Sequence, residues 1–331
     1  MLPSWLLACS GPDKTPDHSG DAPGAWQVVA EGLPAALLTV TGGGADDVWA
    51  AGADAGDGPL VVRWGGAAWE THDVGSPGDL WWAWRAGPDA VWFAGAGGRI
   101  VRYTPSEGTS VVDVTDPEAT LFGLWGTAED DVWAVGGALG RPNGAEVWHF
   151  DGEAWSAVSL PPGAATQGSM YKVWGSSADD VWVCGLGGVV LRWDGSAWTS
   201  MSTGVTEPLF TVSGSGPDDV WAVGGAGNGV ALRWDGATWT DHAPDFTETL
   251  QGVDARGEGV EVVGWSGKVL RGDASGLAED PLGRVGDFDV HSVWVDPDGG
   301  RWLVGGDLAG ATLGDGAIGY DGPADVATVP R

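Results

Sequence analysis

A chain of 331 residues with 46 acidic and 15 basic side chains carries a formal net charge of −31, which excludes the basic patches that nucleic acids and anionic membrane surfaces demand. Hydrophobic residues make up 43% of it, enough for a core, so the 59 glycines point to many short strands and tight turns rather than to disorder. The negative charge would also attract Ca²⁺ or a basic partner, but acidic turns that keep an apolar-rich repeat soluble account for it more simply.

In chain order, the first element is Met1–Ser10, whose apolar run ends Leu6-Leu7-Ala8-Cys9. This run resembles the lipobox of bacterial lipoproteins. The resemblance implies a truncated signal over residues 1–9, a diacylated Cys9 and residence in the cell envelope, as an outer-membrane lipoprotein on its periplasmic or outer side. Residues 10–23 are polar and rich in Pro and Gly, as a flexible linker should be. No other segment approaches the roughly eighteen apolar residues of a membrane span, so any membrane contact is expected through the lipid alone. The second cysteine, Cys184, sits in VWVCG where sister segments read VWAVG, and is read as a small buried hydrophobe.

From Gly24 the chain repeats. A DDVW element places its Trp, or the equivalent residue, at Trp49, Trp92, Trp133, Trp182, Trp221, Glu261 and Trp302, with spacings of 43, 41, 49, 39, 40 and 41. Each repeat divides into four short strands. Strand a is L-x-x-V-W, as in Leu121–Trp125; strand b is D-V-W-A-V-G, as in Asp131–Gly136. Strand c is V-L-R-W, as in Val190–Trp193, and strand d opens on the Trp after an Asp-Gly turn, as at Trp198. Seven such units predict an all-β, seven-bladed β-propeller over residues 24–322, with a C-terminal tail at 323–331. Of the 23 tryptophans, 18 fall on four repeat positions and are read as packing between blades.

The last repeat stops at Tyr320-Asp321-Gly322 without a strand d Trp, whereas the domain begins at Gly24-Ala25-Trp26. Joined, the two ends reproduce WDGSAW (Trp193–Trp198), so the N-terminal strand should complete the seventh blade. These repeats resemble the BNR/Asp-box class of propellers, with its sialidase-like, sortilin-like and photosystem-assembly-factor-like members. Nearer still in style are the Trp-rich repeat lipoproteins of high-GC bacteria. The Asp-box is S/T-x-D-x-G-x-x-W, whereas this chain has W-D-G-x-x-W, so the resemblance extends to architecture and implies no activity.

Chemistry is sparse. Five of the twelve arginines (Arg63, Arg102, Arg192, Arg233, Arg271) share one strand c position, which marks them as scaffold. Tyr103 and Tyr320 replace strand c tryptophans, leaving only Tyr171 as a sialidase-type nucleophile. The five histidines lack metal-ligand spacing, and the Asp pairs of the a–b turns are expected to cap backbone N–H groups. Asp296-Pro297-Asp298-Gly299-Gly300 is the nearest approach to a Ca²⁺ loop, and it is too short. No catalytic residue, metal or cofactor is assigned.

The a–b and c–d turns on one face are nearly constant in length. The b–c and d–a loops on the other vary, from Gly185–Gly188 to Gly136–Glu146 and Asp273–Asp289. Variable loops on a rigid scaffold are where binding is expected. At that face the second position of strand a breaks uniformity, reading Leu38, Trp81, Phe122, Tyr171, Phe210, Gln251 and His291, with Trp82 and Lys172 beside it. Either an aromatic-rimmed channel mouth or plain inter-blade packing fits this pattern. Trp265, Arg141, Asn143 and Asn228 complete the candidate partner-binding set. The reading that follows is a monomeric, lipid-anchored propeller acting as a non-catalytic protein-binding scaffold. A carbohydrate-binding, lectin-like module is the alternative, and a glycan hydrolase comes a distant third.

Overall fold

The computed structural model describes residues 26–330, apart from 139, 142, 165–167, 258 and 311; Cys9 and the linker lie outside the described residues. Seven four-stranded antiparallel sheets are arranged as the blades of a β-propeller. After β1 (Gln27–Leu33), the innermost strands of successive blades are β2 (Leu37–Gly44), β6 (Leu80–Arg85), β10 (Thr120–Ala128), β14 (Met170–Ser177), β18 (Leu209–Gly216), β22 (Leu250–Arg256) and β26 (Asp289–Val295).

The ring closes as the termini predict. β1 is the outer strand of blade seven and pairs with β28 (Gly314–Asp321), Gln27 opposite Tyr320 and Ala30 opposite Ile318. The C-terminal residues reinforce this seam. Trp69 Nε1 donates to the Ala327 carbonyl at 2.8 Å, Val329 N–H donates to the Val29 carbonyl at 3.1 Å, and Val326 is buried.

The blades adhere through aromatic side chains. The strand b Trp of blades two to four packs on both the strand c and strand d aromatics of the next blade, while Trp49 meets the strand c Tyr103 and Trp302 the strand d Trp69. Trp133 lies 5.5 and 5.4 Å from Trp193 and Trp198, Trp182 lies 5.8 Å from both Trp234 and Trp239, and Trp302 meets Trp69 across the closure at 6.3 Å. A buried indole removes on the order of 200 Å² from water, so each such contact is a large share of an inter-blade interface. In blade six the Trp position is held by Glu261, and charge takes over: Glu261 pairs with Arg271 at 3.1 Å and with Arg301 of blade seven at 3.3 Å. The segment Asp273–Asp289, expected as one long loop, contains strand d of that blade, Gly276–Glu279, with Leu277 in place of a Trp.

A second code links the inner strands. Trp84, Trp125, Trp174 and Trp294, at the fifth position of strand a, each reach over a glycine at the sixth position of the next blade. An added Cβ at Gly126, Gly175, Gly214 or Gly42 would stand 3.0, 2.5, 2.6 or 2.6 Å from the indole. Where the fifth position is Thr41, Ser213 or Asp254, the next blade carries Arg85, Ala255 or Val295 instead. In two of those cases the polar side chain bonds that neighbour's backbone: Ala255 N–H donates to Ser213 Oγ at 3.2 Å, and Val295 N–H to Asp254 Oδ2 at 2.7 Å.

Candidate functional site

Every inner strand carries a β-bulge at the second position of the L-x-x-V-W repeat. Leu37 faces Gly52 and Thr39 faces Ala51, and the same skip recurs in all seven blades. The skipped residues are Leu38, Trp81, Phe122, Tyr171, Phe210, Gln251 and His291. A bulge leaves its extra residue unpaired and re-aims its side chain, which is why these positions escape the repeat's uniformity. Four of them make a chain of ring contacts: Trp81–Phe122 at 5.4 Å, Phe122–Tyr171 at 5.5 Å and Tyr171–Phe210 at 5.6 Å. His291 joins at 5.9 Å from Trp81, and its Nδ1 lies 2.5 Å from the Leu38 carbonyl. Both sequence readings of this set therefore meet in one object, since the residues gather at the channel mouth and pack there on one another. Gln251 takes part through its carbonyl, which accepts from Thr211 Oγ1 at 2.6 Å.

Below this plug lies Lys172, 3% exposed, whose Nζ donates to the Phe122 carbonyl at 2.6 Å and sits 4.5 Å over the Trp82 ring. Burial pulls its pKa down to about 7. Burial likewise holds His291 neutral, at about 3, helped by the adjacent Lys172 charge, and pushes the neighbouring Cys184 thiol up to about 12. The titratable side chains at and beneath the mouth are thus an imidazole, an amine, a phenol and a thiol. Most glycoside hydrolases use two facing carboxylates; the seven bulge positions carry no Asp or Glu.

On the surrounding loop face Arg141 pairs with Asp116 at 3.4 Å and with Glu118, bracing two loops. Asn143 holds a left-handed turn at φ 59°, and Asn228 is exposed. Trp265, in the b–c turn of blade six, is 38% exposed. Beside it runs the loop before β22, joined by the Trp265 N–H to Thr249 carbonyl bond at 3.0 Å. That loop carries Phe246, 97% exposed at φ 60°. Sequence reasoning missed Phe246. Its only signal was one large apolar residue in a polar stretch, Asp241–Glu248.

The opposite mouth, framed by the a–b turns, is open. A cavity of 410 Å³ is lined there by Trp82 at depth and by Trp84, Trp125, Trp174 and Trp294 nearer the surface. Asp254 accepts Arg256 Nε through both oxygens at 2.9 Å, and the Arg256 guanidinium lies 5.8 Å over the Trp294 ring. Arg85 pairs with Asp47 at 2.6 Å. The strand a tryptophans were read as packing residues alone; the structure has them pack at their tips and wall a cavity as well. Around this face the second Asp of each turn pair holds a basic strand c side chain: Asp47–Arg63 at 3.0 Å, Asp131–His149 at 2.7 Å, Asp180–Arg192 at 2.7 Å and Asp219–Arg233 at 2.7 Å. Asp296 spends Oδ1 on the Asp298 and Gly300 N–H groups and Oδ2 on Trp302 Nε1. Among the described residues no group of three or more His, Cys, Asp or Glu side chains converges as metal ligands would.

This geometry defines a seven-bladed β-propeller, and comparison with solved structures agrees. Virginiamycin B lyase from Staphylococcus aureus superposes with a TM-score of 0.69 at 15% identity, over 89% of this chain and 99% of that one. YCF48 from Cyanidioschyzon merolae gives 0.67 at 15%, over 91% and 100%, and the WD40 propeller domain of Doa1 gives 0.65 at 12%, over 89% and 97%. No protein-family model matches the sequence, and no curated protein matches it either. The likeness is one of fold.

Proposed function

We propose that this chain is a non-catalytic binding propeller that presents its loop face to a protein partner, held in the cell envelope by a lipid on Cys9. The observation that carries the reading is Phe246, an almost fully exposed aromatic in the loop before β22, the same loop whose Thr249 carbonyl accepts from the partly exposed Trp265. Leaving a Phe side chain in water forgoes about 1.5–3 kcal/mol of burial. A non-Gly residue at positive φ adds strain unless its surroundings impose it. Aromatic anchors of this kind dominate protein–protein interfaces. The plugged mouth beneath them favours a broad contact over a substrate pocket.

The test is site-specific photo-crosslinking in native envelope, with the probe at position 246, at position 265 and at Asp179 on the opposite face. A discrete adduct of one mass at 246 and 265, absent at 179 and lost on Trp265→Asp with the probe at 246, is the expected result. Adducts at 179 alone, or none at 246, would refute it. The anchor is checked separately: labelled palmitate should enter the full chain and be lost in Cys9→Ser.

A further inference from the structure

The open cavity of the turn face stands apart from the loop-face reading and has its own chemistry. Its walls are unequal. Trp84, Trp125 and Trp174 follow one another on blades two to four, while Ser213, Asp254 and Arg256 stand opposite on blades five and six. The charges nearest the space are compensated locally: Arg256 by Asp254, and Arg85 together with Arg63 by the shared Asp47, with Asp89 also acting on Arg85. An ionic ligand would therefore gain little and would lose its hydration, since a charge taken out of water without a partner remains costly even after relaxation. A neutral ligand with one apolar face and a polar edge matches both walls. At 410 Å³ the space lies within the roughly 300–1,000 Å³ of small-molecule sites.

We propose that this cavity is a saccharide-binding site: the indoles of Trp84, Trp125 and Trp174 take the apolar face of one sugar ring, and the Asp254–Arg256 pair takes its hydroxyls. A carboxylate beside a guanidinium offers an acceptor and a donor side by side, the pairing that two adjacent hydroxyls satisfy. Arg256 is well placed for this, its side chain being 51% exposed while Asp254 is 10% exposed. The indoles are held in position by the glycines of the following blades, so the site is preorganised and binding orders little of the protein.

Saturation-transfer NMR on the full chain tests the assignment, with the methyl glycosides of glucose, galactose, mannose, N-acetylglucosamine, fucose and ribose as probes. At least one should receive saturation, with an affinity unchanged by added salt. Arg256→Ala, a substitution at a half-exposed residue, should weaken that sugar about tenfold, as expected for a lost charge-assisted hydrogen bond. Trp125→Leu should abolish binding, and Trp265→Ala on the loop face should leave it unchanged. The proposal is overturned if no probe is saturated, if binding survives Arg256→Ala and Trp125→Leu, or if Trp265→Ala removes it. The last outcome would move a sugar site to the loop face, whereas crosslinking at position 246 is unaffected by any of these results.

Discussion

The two mouths of one channel, built from the same seven strands, have opposite characters. At the loop face the second position of strand a sits on a bulge, and five of the seven side chains there, Trp81, Phe122, Tyr171, Phe210 and His291, pack ring on ring across the opening. At the turn face the fifth residue of the same strand is in regular register, and four indoles line a space they do not fill. The difference lies in where each ring finds its partner. Bulge residues are turned towards the channel axis and pack on one another, whereas the fifth-position indoles lean sideways onto the next blade's glycine and leave the axis open.

Breaking the ring should abolish both mouths at once, and this is the largest effect expected. A chain lacking residues 26–33 loses β1, uncovers the edge of β28 and deprives the Val326–Trp69 seam of its support. It should fail to unfold as one cooperative transition in calorimetry. A melt like that of the full chain would sink the closure scheme.

The plug alone is tested by Phe122→Ala. Phe122 is 5% exposed and touches both Trp81 and Tyr171. Its truncation should cost about 3–5 kcal/mol in denaturant unfolding and should admit water to the channel from the loop face. A loss below 1 kcal/mol (roughly the size of a surface change) would mean that the ring contacts contribute little.

The open mouth is tested from the other side by Gly175→Val. The new side chain would collide with the Trp125 indole, already 2.5 Å from an ideal Cβ, and with the Asp180 carbonyl at 2.8 Å. Overpacking of this kind costs typically about 1–3 kcal/mol. Pairing it with Trp125→Ser should recover part of the loss, because Ser213 beside Ala255 shows the chain making the same exchange itself. If the double variant is no more stable than Gly175→Val, the glycine is required by the Asp180 carbonyl of its own blade rather than by the neighbouring indole.

Much of this was legible in the residues. The period, the four strands per repeat and the shared seventh blade all follow from where Trp and Asp-Gly recur, since inter-blade aromatics and tight turns admit few substitutes. The second-position residues were visible as a break in the pattern. Their closing of the mouth was not, because periodicity assumes alternation and a bulge violates it. The indole–glycine match was present as a correlation between repeats, Trp125 with Gly175 and Asp254 with Val295, yet it becomes meaningful only once successive blades are neighbours in space. Phe246 gave almost no signal, since a single apolar residue in a loop is common and its exposure depends on the loop's path.

Lys172 offers the finest contrast between the mouths, because it lies between them. The turn-face cations Arg85 and Arg256 each have a carboxylate, whereas the Lys172 ammonium is met by the Phe122 carbonyl and the Trp82 ring. Its pKa falls from 10.5 in a free side chain to about 7 in the fold. The folded state therefore binds fewer protons than the unfolded one across that interval, so Lys172 makes its best contribution above pH 10.5 and loses it progressively as the pH falls towards 7. Lys172→Met keeps the length and apolar stem without the charge. It should be close to neutral in stability at pH 10 and more stable than the parent at pH 7, by an amount on the order of 1–3 kcal/mol after relaxation. Denaturant melts of both proteins at the two pH values measure the difference directly. A gap that stays constant with pH would mean that the amine reaches water or an unseen counter-charge through the channel, and hence that the plug at the loop face is more permeable than its ring contacts imply.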